Sequence, residues 1–210
     1  MNNAPFDNKF YYKDSHEFYN FKDPEIALTS DIKSLIHAIG LLGNDLVGIE
    51  LGVFRAQSFC TILHNCSNVK TLYGIDSYLP YSDYLKSGYD GTPAYTMYEK
   101  DIELTKSIAY NKIKYSGMKE KVIFYEEDSN EAVKKFKNES IDFIFIDTYM
   151  TEEQAQNDLE TWYPIIKKNG LFSGHDWGSK QIQIPVNKFR EKNNITSNLC
   201  VFDNCWAWIK

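Results

Sequence analysis

Short apolar runs alternate along the chain with segments whose apolar residues recur every three or four positions. The runs at 46–51, 71–75, 121–125, 141–146 and 170–173 read as strands. Ala56, Phe59, Cys60 and Leu63 share one helical face, as do Ala132, Val133 and Phe136, and Ala155, Leu159, Trp162 and Ile166. Asp23-Pro24 signals a helix start, Leu28, Ile32, Leu35, Ile36 and Ile39 supply its apolar face, and Gly40 and Gly43 end it. Tyr98, Ile102 and Ala109 mark a helix over about 95–112, and another is expected near 185–192. Ser129 is placed to cap a helix, and Thr151 with Gln154 forms a capping-box pattern. The run at 141–146 is nearly all apolar, as a central parallel strand covered on both faces must be. The tail LCVF-DN-CWAWI reads as a hairpin, so one antiparallel strand joins the sheet. The expectation is an α/β protein, a mostly parallel sheet with helices on both faces and no linker announcing a second core.

Carboxylates mark the ends of these strands. Glu50 lies in VGIELGVF, Asp76 ends KTLYGIDSY, Asp147 ends IDFIFIDTY and Asp176 ends GLFSGHDW. In open parallel sheets, ligands bind beyond the carboxyl ends of the strands. A ligand with hydroxyls and a positive centre suits such an edge. The stretch 77–93 is aromatic, glycine-containing and longer than an ordinary connection, which makes it a candidate binding loop. Residues 1–22 are rich in Phe, Tyr and Asn and read as an arm or lid, or as plain packing.

Composition narrows the partners. A net charge of −6 without a Lys/Arg-rich block gives no long-range attraction for nucleic acid or an anionic membrane. No stretch of roughly 18 apolar residues or more occurs, and the N-terminus lacks the order of a signal peptide. Cys60, Cys66, Cys200 and Cys205 have no metal-binding spacing and fit buried thiols better than a zinc site. The expectation is a soluble, cytoplasmic protein.

The loop after the first strand limits the cofactor. A phosphate loop would need GxxxxGK[ST], which is absent. A dinucleotide fingerprint would need GxGxxG, whereas the loop runs Gly52-Val53-Phe54-Arg55-Ala56-Gln57. A nucleoside without phosphates is the third option. Asp76 can accept hydrogen bonds from both ribose hydroxyls, Gly52 permits close approach to the backbone, and Glu50 can orient the loop or face a cation. S-adenosylmethionine combines adenosine, a sulfonium and an amino acid in that way. The structural alternative for Glu50 and Asp76 is loop and helix capping.

ELGVFRAQS, YGIDSY, EEDSNEA and IDFIFIDTYMTEEQAQNDLETWYPIIKKNGLFSGHDW resemble the class I S-adenosylmethionine-dependent methyltransferases, over roughly residues 45–190. The nearest branch contains small-molecule and sugar O-methyltransferases of the macrocin and cephalosporin-biosynthesis type. The resemblance implies a Rossmann-like three-layer sandwich of seven strands, the last antiparallel. The expected division is a methyltransferase domain over 45–210 preceded by an N-terminal arm and helix over 1–44, a lid or substrate cover. Glu50, Gly52 and Ser58 would belong to the first cofactor motif, and Asp76 with Ser77 would hold the ribose. Asp128 and Ser129 would lie by the adenine, with Asp147 closing the site. The family's second glycine is Ala56 here, and a branch pattern DGDHSYE becomes DTYMTEE, with Tyr149 and Met150 in place of an acid and a histidine.

Methyl transfer needs a positioned nucleophile and, for a hydroxyl, a base. Asp147 and Asp176 suit Mg²⁺ held against vicinal hydroxyls, and related metal-dependent members carry acid pairs or acid-amide pairs where this chain has His175-Asp176. His175 is a third ligand, a general base or a structural histidine. His16, His37 and His64 read as surface or packing residues. Tyr78, Tyr81, Tyr149 and Trp177 supply flat faces for an acceptor such as a sugar or a glycosylated metabolite; fastening the loop or a homodimer contact is the alternative role. Two rival readings stand beside the O-methyltransferase. One is a non-catalytic binding or assembly module, motivated by Ala56, Tyr149 and Met150. The other is an NAD-dependent oxidoreductase.

Overall fold

The computed structural model describes residues 32–78, 102–148 and 151–210. The arm 1–22, the Asp23-Pro24 helix start, His16, Tyr81, Tyr98, Tyr149, Met150 and most of the loop 77–93 lie outside them. The elements are α1 (Lys33–Gly40), β1 (Leu46–Leu51), α2 (Gln57–Asn65), β2 (Val69–Ile75), α3 (Ile102–Tyr115) and β3 (Val122–Tyr125). There follow α4 (Ser129–Ala132), β4 (Ile141–Ile146), α5 (Glu152–Trp162), β5 (Ile166–Gly174), α6 (Lys180–Lys192), β6 (Cys200–Phe202) and β7 (Cys205–Ile209).

The strands form one seven-stranded sheet in the order β3-β2-β1-β4-β5-β7-β6. β3, β2, β1, β4 and β5 pair in parallel, and β7 runs antiparallel to both β5 and β6. The chain reverses its direction of growth between β1 and β4, which is the switch point where such sheets open a crevice.

The apolar run of β4 divides its residues between two cores. Phe143 and Phe145 pack with Leu35, Phe59 and Leu63 from α1 and α2 on one face. Ile144 and Ile146 pack with Leu159, Trp162 and Phe189 from α5 and α6 on the other. β7 splits in the same way, with Cys205 and Ala207 on the first face and Trp206 and Trp208 on the second. Cys60, Cys66 and Cys205 are buried and Cys200 is half-buried, and burial pushes the Cys66 thiol up to about 12.

Several boundaries differ from the sequence expectation. Helix α6 begins at Lys180, capped by the Ser179 hydroxyl on Gln181 N, so Pro185 lies inside it rather than at its start. Pro185 cannot donate to the preceding turn, and its side chain is buried. Asp128, not Ser129, caps α4 by accepting from Asn130 N, because Ser129 turns its hydroxyl inward. Strand β5 starts at Ile166, earlier than the apolar run alone shows. Half of the expected capping box of α5 is present, with Gln154 N donating to Thr151 Oγ1, while the Gln154 side chain turns to Asp158.

The hairpin turn Asp203-Asn204 has φ of 46° and 61°, the left-handed pair that matches the twist of a two-residue hairpin. It reaches two other elements. Asp203 accepts from the backbone and hydroxyl of Ser34 in the first turn of α1. Asn204 meets the chain segment after β5. Among the described residues no helix is long and apolar enough to cross a membrane.

Candidate active site

Backbone pairing continues one residue beyond β1, β2, β4 and β5. Gly52 N donates to Ile75 O, Asp76 N to Tyr125 O, Asp147 N to Leu51 O and His175 N to Ile146 O. Gly52, Asp76, Asp147 and His175 therefore form a row along the carboxyl edge. Glu50 does not belong to that row. It lies within β1, with its side chain fully buried.

The Glu50 carboxyl accepts from Ser58 Oγ at 2.5 Å, which ties β1 to the first turn of α2. Its second oxygen is buried with no hydrogen-bond partner among the described residues. Burial holds this carboxyl well above the usual range, the Ser58 bond opposes the shift, and the charges of Asp147 and Asp76 add to it. An orphaned acceptor beside two further acids suits a donor or cation.

Asp76 is the hub of the loop after β1. Phe54 N donates to one oxygen at 2.8 Å and Tyr78 N to the other at 2.9 Å. Burial raises its pKa, and backbone bonds from Phe54, Tyr78 and Val53 oppose the rise. Gly52, Phe54 and Ala56 have φ of 79°, 48° and 58°, so left-handed residues alternate along the loop. Such alternation gathers successive amides toward one anion, and here the anion is Asp76. Gly52 is needed for a reason other than ligand approach: a Cβ there would lie 2.2 Å from the Asp147 carbonyl oxygen.

Ala56, at the family's second glycine position, is fully buried in a left-handed conformation. The backbone of this chain thus adopts the glycine-like turn with an alanine. Tyr78 is 5% exposed, donates its hydroxyl to Phe54 O at 2.7 Å and stacks on Phe124. Its ring and hydroxyl brace the loop, and no free face is left for an acceptor. Trp177 packs its half-buried ring against the second core, and Ser77 is half-buried beside Asp76.

The acid end is compact. His175 Nδ1 lies 3.1 Å from Asp176 Oδ1 and 3.4 Å from Asp147 Oδ1. Consecutive side chains normally diverge, but Asp176 has φ of 58°, which brings it round beside His175. The backbone beneath is fixed, with His175 O accepting from Trp206 Nε1 and the imidazole meeting Phe145 edge-on. The bond from His175 lowers the Asp176 pKa against the effect of its burial.

Asn204 holds the turn from outside. Its carbonyl accepts from Trp177 N, its side-chain oxygen from Gly178 N at 2.8 Å, and its amide nitrogen lies 3.4 Å from Asp176 Oδ1. In the sequence Asn204 is only a hairpin residue, and no local signal ties it to Asp176.

Asp158, also missed from the sequence, is fully buried on α5. It accepts from Ser129 Oγ at 2.9 Å, Gln154 Nε2 at 3.0 Å and Thr148 Oγ1 at 3.3 Å. Burial pushes its carboxyl up to about 6 despite these bonds. A folded-state pKa above the unfolded value means that the folded state disfavours the ionised form. The resulting penalty is absent below the unfolded value of 3.8, grows as pH rises toward 6, and is constant above. Asp158→Asn is therefore expected to be more stable than wild type by about 1–2 kcal/mol at pH 8, with no advantage at pH 4. Urea unfolding at the two pH values checks this, and an equal difference at both would contradict it.

A family model described as a methyltransferase domain matches residues 49–177, more than half of the chain. Its span takes in Glu50, the Asp76 hub and the His175-Asp176 turn. Solved structures share the fold at low identity. An O-methyltransferase from Bacillus cereus in complex with SAH has a TM-score of 0.56 at 12% identity, covering 93% of this chain and 86% of that one. The O-methyltransferase NovP has a TM-score of 0.54 at 19% identity, covering 84% and 79%. Precorrin-6y C5,15-methyltransferase from Geobacter metallireducens has a TM-score of 0.56 at 14% identity, covering 93% and 94%. A search of curated proteins finds no match.

Proposed function

Because this chain belongs to the methyltransferase-domain family, we propose that it transfers a methyl group from S-adenosylmethionine to a hydroxyl of a small molecule, a sugar or a glycosylated metabolite. The observation that carries this reading is the convergence of Asp147, His175 and Asp176 beside the Asp76 loop at the sheet's switch point. The two similar structures described as O-methyltransferases support oxygen as the accepting atom.

The residues fit the cofactor. The Phe54 and Tyr78 amides are already bound to Asp76, which leaves the loop poorly suited to a pyrophosphate and favours a nucleoside over NAD. Remaining lone pairs of Asp76 would take the ribose hydroxyls, with Ser77 alongside, and Asp128 and Ser129 would flank the adenine. Glu50 and Ser58 would set the loop's position. S-adenosylmethionine supplies an electrophilic methyl on a good leaving group.

The protein's task is then to align the acceptor oxygen and take its proton. With Nδ1 held by Asp176, the lone pair of a neutral His175 lies on Nε2, where it can receive that proton. The neighbouring carboxylates stabilise the imidazolium that results. In the alternative tautomer, with Nδ1 deprotonated, the same three side chains offer ligand atoms within 4.8 Å of one another. Asp147, Asp176 and Nδ1 of His175 would hold the ion, and His175 would then be a ligand instead of the base. Mg²⁺ suits the carboxylates and a first-row transition ion suits the imidazole. An ion there would act as a Lewis acid toward the acceptor hydroxyl.

Calorimetric titration with S-adenosylhomocysteine, with and without Mg²⁺ or Mn²⁺, tests the reading. One-to-one micromolar binding is expected. A cooperatively folded sample that binds none would shift the assignment to the non-catalytic module.

A further inference from the structure

Asp158 is a buried ionisable group that the proposed chemistry does not use. Its three donors come from three segments: Ser129 opens α4, Thr148 directly follows Asp147, and Gln154 sits in the first turn of α5. No cation hydrogen-bonds to it among the described residues. As an acceptor-only group with about four lone-pair sites, a carboxylate can collect all three donors at once. A second tie runs parallel to it, from Asn157 Nδ2 to Asn130 Oδ1 at 2.5 Å. If filling space were its whole task, an apolar residue would do so without burying a charge.

We propose that Asp158 is a positioning residue for cofactor binding, fixing the Asp128–Ser129 turn and the Asp147–Thr148 segment at one spacing so that the two sides of the nucleoside pocket form together. The proposal rests on the cofactor reading above. Asp158 touches neither the cofactor nor the acceptor in this account. It acts through Ser129 and Thr148.

Asp158→Leu removes the acceptor while keeping the volume close, and Asp158→Asn keeps an acceptor for Ser129 and Gln154. Each variant is titrated with S-adenosylhomocysteine, and amide exchange is followed over 128–132 and 147–148. The leucine variant is expected to melt cooperatively yet bind about tenfold more weakly, with faster exchange in both segments. The asparagine variant is expected to stay within about threefold of wild type. A role confined to fold stability predicts instead that affinity follows the melting temperature. Wild-type affinity in a folded leucine variant would overturn the proposal. Should that variant fail to fold, Thr148→Val removes a single donor, and unchanged affinity and exchange there overturn it equally. Absence of binding by wild type would refute the cofactor reading itself, and the exchange comparison would still judge Asp158: unchanged protection in both segments counts against it.

Discussion

Gly52→Ala is expected to destabilise the protein by about 3–5 kcal/mol, a large part of the total stability of an ordinary domain. Two penalties combine. The residue has φ of 79°, where an L side chain costs about 1–2 kcal/mol. Its Cβ would also lie 2.2 Å from the Asp147 carbonyl oxygen and 2.9 Å from Thr148 Cα, both backbone atoms held by the pairing of β1 with β4. Neither can move without opening the sheet at the row that carries Asp147. Gly117 is the matching control: its φ is 72°, but nothing lies within 4 Å of its Cβ position. Gly117→Ala should cost only the conformational share, about 1 kcal/mol. Urea unfolding of both variants separates the contributions, and similar costs would show that the close approach to Asp147 is unimportant.

The second large effect is chemical. Asp176→Asn is expected to lower turnover by about 100-fold or more while leaving affinity for S-adenosylhomocysteine within about threefold. Asparagine tolerates the left-handed φ of 58° and keeps the side chain's shape, so the backbone should survive. The charge does not survive. With it go the negative partner of His175 and one proposed metal ligand. Single-turnover methyl transfer to a hydroxylated acceptor, measured beside the calorimetric titration, gives both quantities. Wild-type turnover would remove Asp176 from the mechanism, and a joint loss of binding and turnover would make it part of the cofactor pocket.

The sequence was most informative where side chains follow the local period. The nearly unbroken apolar run 141–146 carries a central strand because its residues must fill two cores, and Phe143/Phe145 and Ile144/Ile146 do so. Asp147 and Asp176 were legible as acids at strand ends for the same reason. Helix starts were less legible. Asp128 caps α4 where Ser129 is the expected cap, and α6 starts at Lys180, before the expected 185–192, because neighbouring polar residues can each reach an amide and only the fold selects one.

The succession of strands along the chain and the acids just beyond β2, β4 and β5 are properties of this sequence by itself, since they depend on residue type and spacing. Tertiary structure alone decided which polar groups meet. Asp158 lies ten residues from Thr148 and 29 from Ser129, and Asn204 lies 28 from Asp176. It also decided that Tyr78 braces a loop, that Glu50 is buried behind the row, and that Asp176 turns back toward His175. Periodicity reports which face a side chain takes relative to its own helix or strand. A hydrogen bond between distant segments depends on how those elements are placed against each other, and that placement comes from packing the whole core.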